Sequence, residues 1–160
     1  MQEGLKPIYN QKTKLLILGS APSVQSLQKQ QYYGNKGNRF WSIIFKILQV
    51  PDPQDYDKRL RILLENNIGL WDVYQKFDRK GSMDHQYKAS QLNDFDNILK
   101  QSDISIILVN GKTAANEINN HQLFTKLTVY SCLSTSGANN SRHQARYQEW
   151  AAALQSLRTK

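Results

Sequence analysis

Lys14-Leu-Leu-Ile-Leu-Gly-Ser-Ala-Pro-Ser23 opens with four consecutive aliphatic residues and closes on small residues and a proline. An unbroken apolar run bounded by glycine lacks the alternation of a half-exposed strand, and predicts a strand buried on both faces, as in parallel sheets. The pattern returns at Ile104–Val109 and Thr128–Leu133, and Ile68–Tyr74 is a further short strand. Helical periods lie between them. Asn38 stands as N-cap of a helix over Arg39–Gln49, where Phe40, Ile43, Ile44, Ile47 and Leu48 share a face. Tyr56–Asn66 follows, then a helix from Asn93 to Gln101, another over Lys112–Asn119, and a last one from Ser141 to about Leu157. Ser20–Gly37 and the polar stretch 75–90 are expected to be loops, the latter long enough to be functional. Strands alternating with helices predict an α/β fold, with a parallel sheet between two helical layers, in one domain spanning residues 1–160.

Ligands of such sheets bind beyond the carboxyl ends of the strands. Three loops converge there: Gly19–Gly37, Asn110–Lys112 and Ser134–Asn140. Charge points to the same end. The chain carries 21 basic and 13 acidic side chains, a net +8, and no Asp or Glu occurs between Gly4 and Pro51 or between Ile118 and Gln148. Two acid-free stretches that supply two of the converging loops predict a surface for a polyanion.

Several chemistries are excluded. One cysteine, Cys132, allows no internal disulfide, cysteine zinc site or four-cysteine iron–sulfur cluster, and is expected to be a small buried apolar residue. His85, His121 and His143 lack metal-ligand spacing, so no metal is expected. Ser134, Thr135 and Ser136 have no His–Asp partners at meaningful spacing, and Gly19-Ser-Ala-Pro22 lacks the glycines of a dinucleotide or phosphate-loop fingerprint. No run approaches the ~20 apolar residues of a membrane helix. The N-terminal MQEGLKPIYN has no apolar core of a secretory signal, so a cytoplasmic protein with no membrane partner is expected.

Gly19-Ser-Ala-Pro-Ser23, Tyr32-Tyr-Gly-Asn-Lys-Gly-Asn-Arg-Phe-Trp41 and Ser134-Thr-Ser-Gly-Ala-Asn139 together resemble the uracil-DNA glycosylase superfamily. The nearest branch is that of the hypoxanthine (deoxyinosine) DNA glycosylases, with the mismatch-specific uracil/thymine enzymes a step further off. Gly69-Leu-Trp-Asp-Val73, Gly81-Ser-Met-Asp84, Asn93-Asp-Phe95 and Asn110-Gly111 fit the same branch, so the resemblance runs from about Lys14 to Trp150. It implies a three-layer α/β/α domain around a four-stranded, mainly parallel sheet. It also implies a monomeric repair enzyme that flips a deaminated base (hypoxanthine, xanthine or uracil) from DNA and cleaves its N-glycosidic bond, with no cofactor. Carried over, Asn38 is the catalytic residue. Gly19, Ser20, Ala21 and Pro22 line the base pocket with Asn110, and Tyr33 stacks on the flipped base. Ser134, Thr135, Ser136, Gly137, Ala138 and Asn139 press on the DNA, and Lys36, Arg39, Arg142 and Arg146 contact phosphates.

The chain departs from the pattern at Ala21, where several branches place a water-preparing Asp or Asn. Asn35-Lys36 stands where His-Pro is common, and Leu133 and Gly137 where Pro is common. A proline at 137 would stiffen a loop that glycine loosens. The motif loops hold no carboxylate, so Asn38 has to work by orienting water rather than as a strong base. A member that binds nucleic acid without cutting it is the alternative reading.

Overall fold

A computed structural model describes residues 1–82 and 87–158. Met83 and Asp84 of the fourth matching segment, and His85, lie outside the described residues.

The central sheet has four parallel strands in the order β3-β2-β6-β7: β2 is Leu15–Gly19, β3 Ile68–Asp72, β6 Ile106–Asn110 and β7 Thr128–Cys132. The expected strands are present, with β3 shorter than Ile68–Tyr74. Alternation along the strands divides the core in two. Leu15, Ile17, Ile106 and Leu108 face α2 (Phe40–Leu48), α3 (Tyr56–Glu65) and α6 (His143–Gln155). Leu16, Leu18, Ile107 and Val109 face α4 (Asp96–Lys100) and α5 (Lys112–Asn120). Leu15 to Leu18 are 0 % exposed, and each such side chain contributes about 1.5–3 kcal/mol of burial. The expected α/β/α layering thus follows from sheet residues apolar on both faces.

The stretch 75–90 is not the expected loop. Tyr74–Arg79 (β4) and Tyr87–Leu92 (β5) pair antiparallel, and Gln2–Glu3 (β1) adds to β4, making a second, three-stranded sheet. Tyr74 and Phe77 point into the second core while Gln75 and Asp78 are exposed. Three lysines and mostly exposed β5 side chains hid the pairing, because backbone hydrogen bonds make it. The loop Ser20–Gly37 likewise contains a short helix, α1 (Val24–Lys29), capped by Ser23, whose hydroxyl accepts the Ser26 N–H at 3.1 Å.

Candidate active site

Strand register brings Gly19 opposite Asp72, and Asn110 stands at the end of β6 beside them. The loops after β2, β6 and β7 close over these ends around a cavity of ≈ 180 Å³. Its walls include Gly19–Ser23, Tyr33, Asn38, Asp72, Asn110 and Ser134–Ser136, so every residue expected in the base pocket lines one space with Asn38, the residue expected to be catalytic. The volume lies below the ~300–1,000 Å³ of drug-sized sites and suits one flat heterocycle. A wider groove of ≈ 610 Å³ shares Ser134 and Ser136 with it and opens past Lys112 and Arg142.

Tyr33 is fixed from three directions. Its ring stacks on Phe40 with centroids 4.0 Å apart, and Asn110 Nδ2 donates to its hydroxyl at 3.2 Å. Its backbone sits at φ 56°, a left-handed conformation that an aromatic residue adopts only when its surroundings impose it. Burial, and then the nearby Asp72 carboxylate, raise the phenol's pKa well above its ordinary value, so it stays neutral. Tyr32 points the other way, into the core, with its hydroxyl donating to Lys6 O at 2.6 Å.

Asn110 also donates to Thr135 Oγ1 at 3.1 Å and accepts the Thr135 N–H at 3.0 Å. Both amide ends are therefore bonded inside the protein. The residue ties β6 to the Ser134–Ser136 turn and to Tyr33.

Asn38 lies one residue before the position expected of a cap. The N-cap of α2 is Arg39, and Asn38 Oδ1 accepts the Phe40 N–H at 2.9 Å. That bond assigns the amide's orientation and leaves Oδ1 a second lone pair. Arg39 N–H donates to Thr135 O at 2.9 Å, locking the Asn38 end of α2 to the loop after β7.

The expectation of a carboxylate-free site is corrected. Asp72 is 4 % exposed and lines the cavity, and a Cβ on Gly19 would meet its Oδ1 at 2.8 Å. The carboxylate comes from a strand end rather than a motif loop, which is why the loop sequences missed it. The signal available was the matching segment Gly69–Val73, which contains it. Sequence reading also missed Arg79. Buried in β4, it donates to Pro22 O, to Gly81 O at 2.7 Å and to the Tyr87 hydroxyl at 2.9 Å, pinning the hairpin to the pocket wall.

Among the expected DNA contacts, Lys36, Arg39, Gly137, Ala138 and Arg142 are exposed, and Ser134, Ser136 and Asn139 are half-buried. Thr135 is buried behind them. Arg146 is not an exposed phosphate contact. It is 2 % exposed and donates to Ser134 O, Ser136 O and Asn140 Oδ1 at 3.1–3.3 Å, so it supports the loop from beneath. Residues Gly137–Arg142 form a 3-10 helix rather than open loop, and α6 starts at His143 rather than Ser141. Cys132 is buried, and burial followed by the Glu149 carboxylate pushes its thiol up to about 12, which removes it as a nucleophile. Among the described residues no cluster could hold a metal, and no helix is long and apolar enough to cross a membrane.

Gly137 has a steric reason. A Cβ there would lie 3.0 Å from Gly37 O, so the loops pack backbone to backbone. Gly137→Pro is therefore expected to destabilise the protein by about 1–3 kcal/mol, as overpacking does, rather than stiffen it usefully. Thermal unfolding measures this, and a raised Tm would refute it.

Residues 7–158 match the uracil DNA glycosylase superfamily. A hypoxanthine DNA glycosylase of Methanosarcina barkeri is 36% identical over 160 residues, covering 96% of this chain and 98% of the relative. One from Methanosarcina acetivorans is 35% identical over 159 residues with the same coverage. A solution NMR structure from M. acetivorans, described as that of a candidate uracil DNA glycosylase, superposes with a TM-score of 0.86 at 34% identity, covering 98% of each chain.

Proposed function

Since the chain belongs to the uracil DNA glycosylase superfamily, we propose that it excises a deaminated base, hypoxanthine first, from DNA by hydrolysing the N-glycosidic bond. The observation that carries this reading is the enclosure of Asn38 and Tyr33 in one nucleobase-sized cavity walled largely by loops from the two acid-free stretches of the sequence.

In this reading DNA docks on the Ser134–Asn139 segment, and the damaged nucleotide rotates into the cavity. Unstacking costs a few kcal/mol, least at mispaired or damaged positions, which selects substrate without reading sequence. Stacking on the rigid Tyr33 ring returns roughly 1–3 kcal/mol. Pinning by Phe40 and Asn110 keeps the ring from losing further freedom on binding.

The free lone pair of Asn38 Oδ1 accepts a hydrogen bond from a water and holds that water's oxygen beneath C1′ of the sugar. As the C1′–N bond lengthens, its electron pair leaves with the base and the sugar takes on oxocarbenium character. Water adds to C1′ and loses a proton to solvent, the departing base anion takes up a proton from solvent, and an abasic site and the neutral free base remain. The loop after β2 lines the cavity, and in this reading its backbone N–H groups are the donors that stabilise the charge of the departing base. An amide orienting water is slow chemistry, sufficient for a good leaving group such as a deaminated base. Asp72 lines the same cavity from the end of β3.

The test is incubation of the protein with labelled duplexes holding one deoxyinosine, deoxyuridine or deoxyxanthosine, followed by alkali. Strand scission at the modified position is the expected result, strongest for deoxyinosine. Salt-dependent binding with no scission on any of the three would leave a nucleic-acid-binding module instead.

A further inference from the structure

Between α2 and α6 lies a groove of ≈ 420 Å³ lined by Arg39, Lys46, Asn140, His143, Arg146 and Tyr147. Its walls come from the two acid-free stretches of the sequence, which the fold brings face to face. Among the described residues no carboxylate lines it. The one acidic residue of α6, Glu149, accepts the Leu133 N–H at 2.8 Å and lines the other groove.

The groove is positively charged in depth as well as at its rim. Arg146, at its floor, is 2 % exposed and gives its terminal nitrogens only to neutral oxygens. Its Nε is buried with no hydrogen-bond partner, and among the described residues no carboxylate lies within salt-bridge distance of it. Arg39 is close enough for its charge to oppose that of Arg146. At the rim Arg39, Lys46 and His143 are exposed, and Lys46 Nζ lies 4.8 Å above the Tyr147 ring. Like charges gathered around a buried guanidinium with no counter-charge raise the energy of the free protein, and an anion in the groove relieves it.

We propose that this groove seats backbone phosphates of the DNA strand that carries the flipped nucleotide, beyond the contacts made at the pocket mouth. The inference rests on the glycosylase reading for its register. The groove starts at Arg39, next to Asn38, and Lys46 is seven residues further along α2. At ~1.5 Å per residue that is roughly 10 Å. The ligand is a phosphodiester held by cations without base contacts, so the seat strengthens binding for every sequence and discriminates none.

The experiment is anisotropy-measured binding of a deoxyinosine duplex across a salt series, for the unaltered protein, Lys46→Gln, Lys46→Arg and the exposed Lys126→Gln, which lies outside the groove. Lys46→Gln is expected to reduce the slope of log K on log[NaCl] by about 0.9, the value for one phosphate contact. Lys46→Arg restores the slope, and Lys126→Gln leaves it at the unaltered value. Duplexes cut to within a nucleotide of the deoxyinosine on the side that meets the groove should remove the difference between Lys46→Gln and the unaltered protein. An unchanged slope in Lys46→Gln overturns the proposal, as does a difference that persists on duplexes cut back on either side. Competition by millimolar inorganic phosphate without the slope change assigns the groove to free anions and overturns it too. Scission with no slope change refutes only the seat. A slope change with no scission refutes the glycosylase reading and leaves a DNA-phosphate groove.

Discussion

Asn38→Ala is expected to lower the single-turnover rate of base release by about 100-fold or more, the scale of losing a positioned reactant, while DNA remains bound. Asn38 Oδ1 also accepts the N–H of Phe40, the first residue of α2, so its loss costs about 1 kcal/mol of stability. The two effects separate with Asn38→Asp. A carboxylate keeps both the bond to the Phe40 N–H and an acceptor for water, so it should preserve stability and recover much of the rate. Cleavage of a deoxyinosine duplex under enzyme excess measures the first effect, and thermal unfolding the second. If Asn38→Ala cuts at the unaltered rate, the water is held elsewhere. Asp72, in the same cavity, would be the residue to replace next.

Trp150→Ala is expected to destabilise the protein by about 3–5 kcal/mol, the range for deleting a buried tryptophan. In a domain of this size that lowers Tm by roughly 6–20 °C. Trp150 is 0 % exposed and its indole N–H donates to Leu133 O at 2.8 Å, just before the segment proposed to meet DNA. Its ring packs edge-on against Phe40 at 5.9 Å, and Phe40 is the ring on which Tyr33 stacks. Three aromatic rings thus connect the core of α6 to the pocket wall. The variant should therefore lose base release even at temperatures where it is folded. Trp150→Phe keeps the ring and removes one hydrogen bond, so its loss should be about 1–2 kcal/mol. Equal losses for Phe and Ala would mean that the hydrogen bond, rather than packing, carries the stability. Thermal unfolding of both variants decides the point.

The sequence determined the parallel sheet, its two helical layers and the membership of one pocket. Leu15–Leu18 and Ile106–Val109 are apolar on both faces, which only a strand covered on both sides satisfies, and glycine and small residues mark where each strand ends. Convergence of the loops at the carboxyl ends of parallel strands also placed Tyr33 with the Ser134–Ser136 turn, and the resemblance to the family added Asn38. Tertiary structure alone decided the rest. Strands β4 and β5 were illegible because backbone bonds pair them and one face is wet, so their side chains carry no apolar run. Asp72 entered the cavity through register with Gly19, a relation between residues 53 positions apart that no local pattern records. Arg146 shows the same limit for charge. The sequence supplies a guanidinium near a loop, and only the packing of α6 decides whether it faces water or holds that loop's carbonyls from within. A residue's type limits which partners it can take, but the direction in which the fold points it selects among them.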